Sequence, residues 1–107
     1  MKIAKSTTSA DLVLVYDNTL DGLLCAIFEA YRLRVKDFAI LPTAALANQF
    51  FLPILKISTN KAKSNRIKMG LRKNTEQDLL PFLNWVFTGQ TPTKEQTIFE
   101  LVQKVFI

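Results

Sequence analysis

The sequence predicts an α/β or α+β domain with two short strands and about four helices. Three observations support this class: β-branched apolar runs that suit buried strands, apolar residues that recur at helical spacing, and turn or capping residues between them. The chain has 107 residues, which leaves room for one hydrophobic core. Residues 11–107 are therefore assigned to a single domain, and residues 1–10 to a flexible tail.

The two predicted strands cover residues 12–16 and 54–58. The first reads Leu-Val-Leu-Val-Tyr, an unbroken apolar run that is typical of a strand buried on both faces. The second follows Pro53, because a missing N–H is tolerated at the start of a strand. Residues 37–41 are left open between a short strand and a packed loop. Since two strands make a poor sheet, we expect missing sequence, or a homo-oligomer that completes the sheet.

The clearest helical pattern predicts a helix over residues 20–33, after a turn and cap cluster at residues 17–19. Its apolar positions form a stripe on one side of the helix: Leu20, Leu23, Leu24, Ile27, Phe28 and Tyr31. This spacing indicates an amphipathic helix that packs through a single face.

Three further helices are predicted over residues 61–73, 78–88 and 94–105. Thr59 or Asn60 caps the first of them, whose apolar face is thin. Thr75 and Asp78 resemble a capping box for the next helix. Pro81 is awkward in that helix unless the helix starts just before it.

The positive charge is concentrated in one segment. The net charge is +5, from 14 lysines and arginines against 9 acidic residues. Residues 38–75 contain seven of those cations and no acidic residue, which indicates a surface for an anionic partner. We assign nucleic-acid binding to the six cations of the second predicted helix: Lys61, Lys63, Arg66, Lys68, Arg72 and Lys73.

A solvated helix face is the alternative interpretation of this basic segment. Such a face usually carries Glu or Asp partners, and residues 38–75 have none. If the segment binds phosphates, the backbone N–H groups near Thr59 and Asn60 would add an anion site at the start of the helix.

The composition excludes most familiar enzyme chemistry. The chain has no histidine and one cysteine, so common zinc sites, Ser–His or Cys–His pairs and iron–sulfur clusters cannot be assembled within it. We predict no catalytic, metal or cofactor site, and an enzyme that uses carboxylate or lysine chemistry is the weakest hypothesis. The single Cys25 indicates a reducing, cytoplasmic compartment. No apolar run is long enough for a membrane span.

Five side chains have both a functional and a structural interpretation. Asp17 and Asp21 could form a paired-carboxylate acid–base site, but capping is the better account because a helix N-terminus favours the anion. Cys25 lies mid-helix in apolar company, which favours core packing over a nucleophile. Tyr16 and Tyr31 lie on apolar faces, which favours core packing over base stacking.

Trp85 and Phe106 are predicted interface residues. Trp85 lies off the apolar stripe of its helix, so we expect it to be exposed, as a partner interface in preference to a base-stacking platform. Phe106 belongs to an apolar run, Val-Phe-Ile at residues 105–107. That run either docks a partner or packs onto the core of the domain.

A short motif spans the end of the first strand and the helix after it. It reads Tyr-Asp-Asn-Thr-Leu-Asp-Gly-Leu-Leu at residues 16–24, followed by Ala-Ile-Phe-Glu-Ala-Tyr at residues 26–31. The motif resembles the opening of an uncharacterised bacterial family usually described as a probable DNA metabolism protein. Asn18 stands where members have glycine, and Asn tolerates the same left-handed backbone. Residues 61–71 are similar to a later helix of that family.

The resemblance implies a role in DNA metabolism. Members are encoded beside radical SAM proteins, and some relatives are fused to a uracil-DNA-glycosylase-like domain, so both are implied partners. Members continue beyond the position of Ile107, which implies that this chain is the front portion of a longer domain. The expected function is a DNA repair or modification accessory module that binds nucleic acid through its basic helix and works with a radical SAM partner. The alternative is a protein–protein adaptor that docks a partner enzyme through Trp85 and the apolar chain end.

Overall fold

Parallel strands alternate with helices along the chain. The computed structural model describes residues 2–3, 12–34, 37–43, 53–75, 78–89 and 93–106. The strands are β1 (Lys2–Ile3), β2 (Leu12–Tyr16), β3 (Asp37–Pro42) and β4 (Ile54–Lys56). The helices are α1 (Leu20–Leu33), α2 (Lys61–Asn74), α3 (Leu80–Thr88) and α4 (Lys94–Phe106). The predicted class, α/β or α+β, is confirmed.

The four strands form one sheet in the order β1-β3-β2-β4, and every described pair is parallel. β2 pairs with β3 along its whole length and with β4 through residues 13–15. The sheet has two strands more than predicted. β3 is the segment left open between strand and loop, and β1 comes from the predicted tail, of which residues 4–10 lie outside the described residues. The expectation of missing sequence or a second copy of the chain rested on a sheet of two strands, whereas the described sheet has four.

β2 is one of the two inner strands, and both of its faces are covered. Val13, Leu14, Val15 and Tyr16 are all buried, as their unbroken apolar run predicts. The residues that follow β2 therefore lie at the carboxyl edge of the sheet between two neighbouring strands. This is the edge at which α/β folds usually bind their ligands.

The turn between β2 and α1 is held by its own side chains. Asn18 has a φ of 61°, the left-handed backbone expected at this position. The Asp17 carboxylate accepts hydrogen bonds from the hydroxyls of Thr19 and Thr59, each at 2.6 Å. Thr19 in turn caps α1 by accepting the Gly22 N–H at 3.0 Å. The bonds from Thr19 and Thr59 hold the pKa of Asp17 below its usual value. Asp17 therefore supports the cap of α1 by holding Thr19, which is the cap residue.

α1 is buried on more than one side, although its stripe predicts a single buried face. Several residues off the stripe are also buried, and most are small: Gly22, Cys25, Ala26, Glu29 and Ala30. Small side chains allow a second element to approach the helix closely, and α2 packs against α1. α1 therefore lies between the sheet and α2.

α3 starts two residues later than predicted. It begins at Leu80, which places Pro81 in the first turn, where the missing N–H would be unpaired in any residue. Leu79 occupies the cap position without a side-chain bond, so the expected capping box of Thr75 and Asp78 does not form at this start. Asp78 accepts the Leu80 N–H at 3.2 Å instead.

α4 joins the sheet to the helical layer. It buries three residues at helical spacing: Ile98, Phe99 and Val102. The Phe99 ring meets the Phe38 ring of β3 edge-on, with centroids 5.2 Å apart, and stacks on Tyr31 of α1 at 5.9 Å. Phe99 is fully buried, so it is the side chain through which β3, α1 and α4 share one core.

Candidate nucleic-acid interface

The six cations assigned to nucleic-acid binding all lie on α2, but in different surroundings. Ser64, Ile67 and Leu71 form the buried side of the helix. Lys63 and Lys68 flank that side and are partly buried. The other four are exposed: Lys61, Arg66, Arg72 and Lys73. The structure therefore divides one predicted set into two groups.

Two carboxylates of α1 neutralise the flanking lysines. Lys63 Nζ lies 2.6 Å from Glu29 Oε1, and Lys68 Nζ lies 2.7 Å from Asp21 Oδ1. The basic segment lacks acidic partners along its own sequence, but α1 supplies them across the contact between the two helices. We therefore interpret Lys63 and Lys68 as residues that fix α2 on α1.

Glu29 is the most buried charge at this contact. It is 6% exposed, and it accepts hydrogen bonds from Lys63 and from Arg32 Nε, the latter at 2.7 Å. Burial alone raises the pKa of Glu29, but the bonds from Lys63 and Arg32 outweigh it and hold the pKa below its usual value. A cleft of about 260 Å³ opens beside this carboxylate, with Lys56 on its wall.

Asp21, Cys25 and Glu29 form a row along α1 at a spacing of four residues, which places them on one side of the helix. Cys25 is fully buried, as predicted, and its Sγ lies 3.1 Å from the carbonyl oxygen and 3.2 Å from the backbone nitrogen of Asn60. Each member of the row thus contacts α2 or its cap. In the sequence, the row at a spacing of four residues could have predicted the side of α1 on which α2 packs. The apolar stripe is the stronger pattern in that helix, and the row is easily overlooked beside it.

Acidification should weaken the contact between α1 and α2. The Lys68 ammonium holds the pKa of Asp21 below its usual value, and the pKa of Glu29 is lowered as described. Both carboxyls bind protons more readily in the unfolded chain, so their contribution to the free energy of unfolding is complete above about pH 5 and is lost as the pH falls through about 4 and below.

Thermal unfolding followed by circular dichroism from about pH 7 to about pH 3 measures this loss as a falling Tm. The double variant Asp21→Asn/Glu29→Gln should melt at a lower temperature near neutrality and show a flatter dependence on pH. Parallel pH profiles for the two proteins would contradict the assignment.

The start of α2 is already occupied by its own cap. Asn60, one of the two predicted caps, accepts the N–H groups of Ala62 at 2.9 Å and Lys63 at 3.3 Å through its side chain. Its carbonyl accepts the Ser64 N–H at 3.1 Å. These groups are not available to a phosphate, so the expected anion site at this helix start is not supported.

The carboxyl edge of the sheet is likewise occupied by its own side chains. The Tyr16 hydroxyl donates to Glu95 at 2.5 Å, and Lys94 donates to Asn18 Oδ1 at 3.0 Å while lying 4.2 Å from the centre of the Phe87 ring. Burial and the bond to Glu95 raise the pKa of Tyr16, which is a core residue, as predicted. This edge is therefore tied to the start of α4, and α2 is the better candidate site.

Four cations of α2 form no ion pair with a described carboxylate, although Lys61 is close enough to Asp21 to help lower the pKa of that carboxyl. At 3.6 residues per turn, Lys61 and Arg72 fall along one edge of the exposed side, and Arg66 and Lys73 along the other. Met69, which is 67% exposed, lies between the edges. The four lie within residues 61–73, which cover about 18 Å of helix, a length that matches about five phosphates of one strand.

The two predicted interface residues lie in different places. Trp85 is 71% exposed on α3, as predicted, and its ring lies 6.0 Å from that of Phe82, which is 47% exposed. Phe106 stacks on Tyr31 at 6.2 Å and lies against Gly70 of α2. Phe106 therefore packs onto its own domain, which is one of the two alternatives for the apolar run at residues 105–107; Ile107 lies outside the described residues.

No helix in the described ranges is long and apolar enough to cross a membrane. In the part of the chain that the structure describes, no three His, Cys, Asp or Glu side chains lie together as a metal site. No protein-family model, curated protein or solved structure matches the chain.

Proposed function

We propose that this chain is an accessory module of DNA metabolism that binds the phosphate backbone of nucleic acid through the exposed cations of α2. The observation that supports it is that α1 forms ion pairs with two of the six cations of α2, whereas the other four form no ion pair with a described carboxylate. Unpaired lysine and arginine side chains along one helix are typical of phosphate contacts. Such contacts position a protein without reading base sequence, which suits an accessory role.

The partner in this proposal is the radical SAM protein or the uracil-DNA-glycosylase-like domain that the family resemblance implies. We assign the catalytic chemistry to that partner for two reasons. The chain has no histidine, and three of its carboxylates serve structure: Asp17 in a cap, and Asp21 and Glu29 in ion pairs.

Binding to DNA should be strongly salt-dependent and should depend on the exposed cations. Four phosphate contacts predict a log–log slope of about −3.6, so raising salt from about 50 to about 200 mM should weaken binding about a hundredfold. The double variant Arg72→Gln/Lys73→Gln should weaken binding about tenfold at the lower salt and reduce the slope by about 2. Fluorescence anisotropy with a labelled oligonucleotide measures both quantities.

Arg34→Gln/Lys104→Gln is the matched control. It also removes one arginine and one lysine, both exposed and both near the C-terminal end of a helix, but neither lies on α2. The control should change affinity by less than about twofold. Equal losses in the two variants would show attraction to net charge alone and would contradict a site on α2. No binding at the lower salt would overturn the proposal.

The second candidate function is the protein–protein adaptor. The observation that favours it is the exposed pair of rings on α3, Phe82 and Trp85, because tryptophan and other aromatic side chains are enriched in protein interfaces. The test is whether a radical SAM partner co-purifies with the chain. Loss of that partner in Trp85→Ala, together with its retention in Arg72→Gln/Lys73→Gln, would favour the adaptor. The absence of DNA binding would strengthen this result.

A further inference from the structure

A groove lies between α1, α2 and the end of α4, beside the exposed cations. Its volume is about 390 Å³ and its lining is mainly apolar: Phe28, Tyr31, Arg32, Arg66, Ile67 and Phe106. We call it the aromatic groove. Sites for small ligands have volumes of roughly 300–1,000 Å³ and combine apolar walls with a few polar groups. The aromatic groove has both properties.

One wall of the aromatic groove ends in a stack of three rings. Tyr31 lies between Phe99 and Phe106, with centroid distances of 5.9 and 6.2 Å and interplanar angles of 26° and 17°. Phe106 is the outer ring and is 36% exposed. The exposed part of Phe106 is therefore the part of the stack that a further planar ring can contact.

Gly70 makes this position of Phe106 possible. A Cβ at Gly70 would lie 2.5 Å from Phe106 Cζ and 3.1 Å from its Cε1. Glycine is unfavourable inside a helix, and here its missing side chain gives the ring room to lie against α2. Because only the far end of the Phe106 side chain would have to move, Gly70→Ala should displace the ring without disrupting the fold.

The polar groups of the aromatic groove suit an anion with a planar ring. Among the described residues, its lining has two cations, Arg32 and Arg66, and no acidic residue. Glu29 holds Arg32 through its Nε at 2.7 Å, which orients the guanidinium, and no described carboxylate pairs with Arg66. The Tyr31 hydroxyl is buried without a hydrogen-bond partner among the described residues.

We propose that the aromatic groove takes an unpaired base of single-stranded nucleic acid, stacked on Phe106, with a flanking phosphate at Arg66. This inference rests on the proposed function and names the form of nucleic acid that is bound. Stacking on an aromatic side chain accepts any base, since every base has a π-face. The bases of a duplex are already stacked and paired, and extracting one costs energy. The chain should therefore prefer single strands to duplexes, with little dependence on sequence.

Anisotropy titrations of three labelled probes test this preference: an oligothymidylate of about 12 nucleotides, a duplex of the same length, and a strand of about 12 abasic units that keeps the phosphates but has no bases. Phe106→Ala should weaken binding of the oligothymidylate roughly 5- to 150-fold, the range typical of one lost stacking contact. Binding of the duplex and of the abasic strand should change less than about twofold. Gly70→Ala should also weaken binding of the oligothymidylate. The circular dichroism spectrum of this variant should be the same as that of the wild type.

Phe82→Ala is the matched control, because Phe82 is also a partly exposed phenylalanine but lies on α3. It should leave the affinity for all three probes unchanged.

If the single strand and the duplex bind equally and neither Phe106→Ala nor Gly70→Ala has an effect, the assignment of the aromatic groove fails and the proposed function stands. If no probe binds, both fail. An acidic phenylalanine-containing peptide that binds wild type but not Phe106→Ala, while no oligonucleotide binds, would assign the groove to a protein partner and overturn the inference.

Discussion

Phe99→Ala should lower the free energy of unfolding by about 3–5 kcal/mol, the usual cost of removing a buried phenylalanine. Phe99 is fully buried, and its ring contacts Phe38 of β3 and Tyr31 of α1. A cavity at this point removes the ring contacts of α4 with both β3 and α1. Since small domains are stable by only about 5–15 kcal/mol, the variant should lose a large part of its stability. Chemical denaturation followed by circular dichroism measures the loss.

Phe82→Ala is the comparison for this experiment. It makes the same chemical change at a side chain that is 47% exposed, so it leaves no enclosed cavity and should cost less than about 1 kcal/mol. Similar costs for the two variants would mean that Phe99 does not join the layers of the core as described.

Gly22→Ala should destabilise the protein by about 1–3 kcal/mol, the typical cost of forcing extra atoms into a packed site. This is the reverse of the usual effect, because alanine in a helix is favoured over glycine by about 1 kcal/mol. The reason is the Asp17 carboxylate, whose Oδ1 would lie 2.1 Å from the new Cβ. The carboxylate would have to move away, which breaks its bonds to Thr19 and Thr59.

The cost of Gly22→Ala should largely disappear when the obstructing carboxylate is removed. Asp17→Ala alone loses the bonds of the turn and should lower the Tm. In that background, the nearest remaining atom to the new Cβ is Thr19 Oγ1, at 3.0 Å. The helix preference for alanine offsets this contact, so Gly22→Ala should change the stability by less than about 1 kcal/mol. A double-mutant cycle of Tm values and unfolding free energies tests this. An equal cost of Gly22→Ala in both backgrounds would exclude the contact with Asp17 as its cause.

The helices were the most predictable part of the fold, because their signals are local. α1 spans the predicted residues 20–33, since its stripe and its cap are both written within that segment. α2 begins where a cap was expected, and Asn60 was one of two candidates. α3 starts later than predicted because Pro81 suits only the first turn of a helix.

The sheet was predicted less completely, because strand pairing depends on residues far apart in sequence. β3 has a short apolar run that ends at Pro42, and periodicity cannot separate such a run from a packed loop. Residues 38–42 of β3 pair with all five residues of β2, which makes this segment a strand. β1 has two residues, too few to carry any pattern.

Charge patterning identified the basic helix but could not say which of its cations are available. That depends on α1, which lies next to α2 in space but is distant in sequence: Lys63 and Glu29 are 34 residues apart. Asp21, Cys25 and Glu29 share one side of α1, yet the apolar stripe is the stronger signal in that helix. The aromatic groove combines residues of three helices, so no single segment predicts it.

The exposure of Trp85 has an optical consequence. It is the single tryptophan of the chain, and it is 71% exposed on α3, so its indole is surrounded mainly by water in the native state as well as in the unfolded chain. Its emission maximum should therefore shift little when the core melts. A partner that covers α3 would move the indole out of water and shift the emission to shorter wavelength. In this protein, tryptophan fluorescence reports association at α3 and is a poor measure of unfolding.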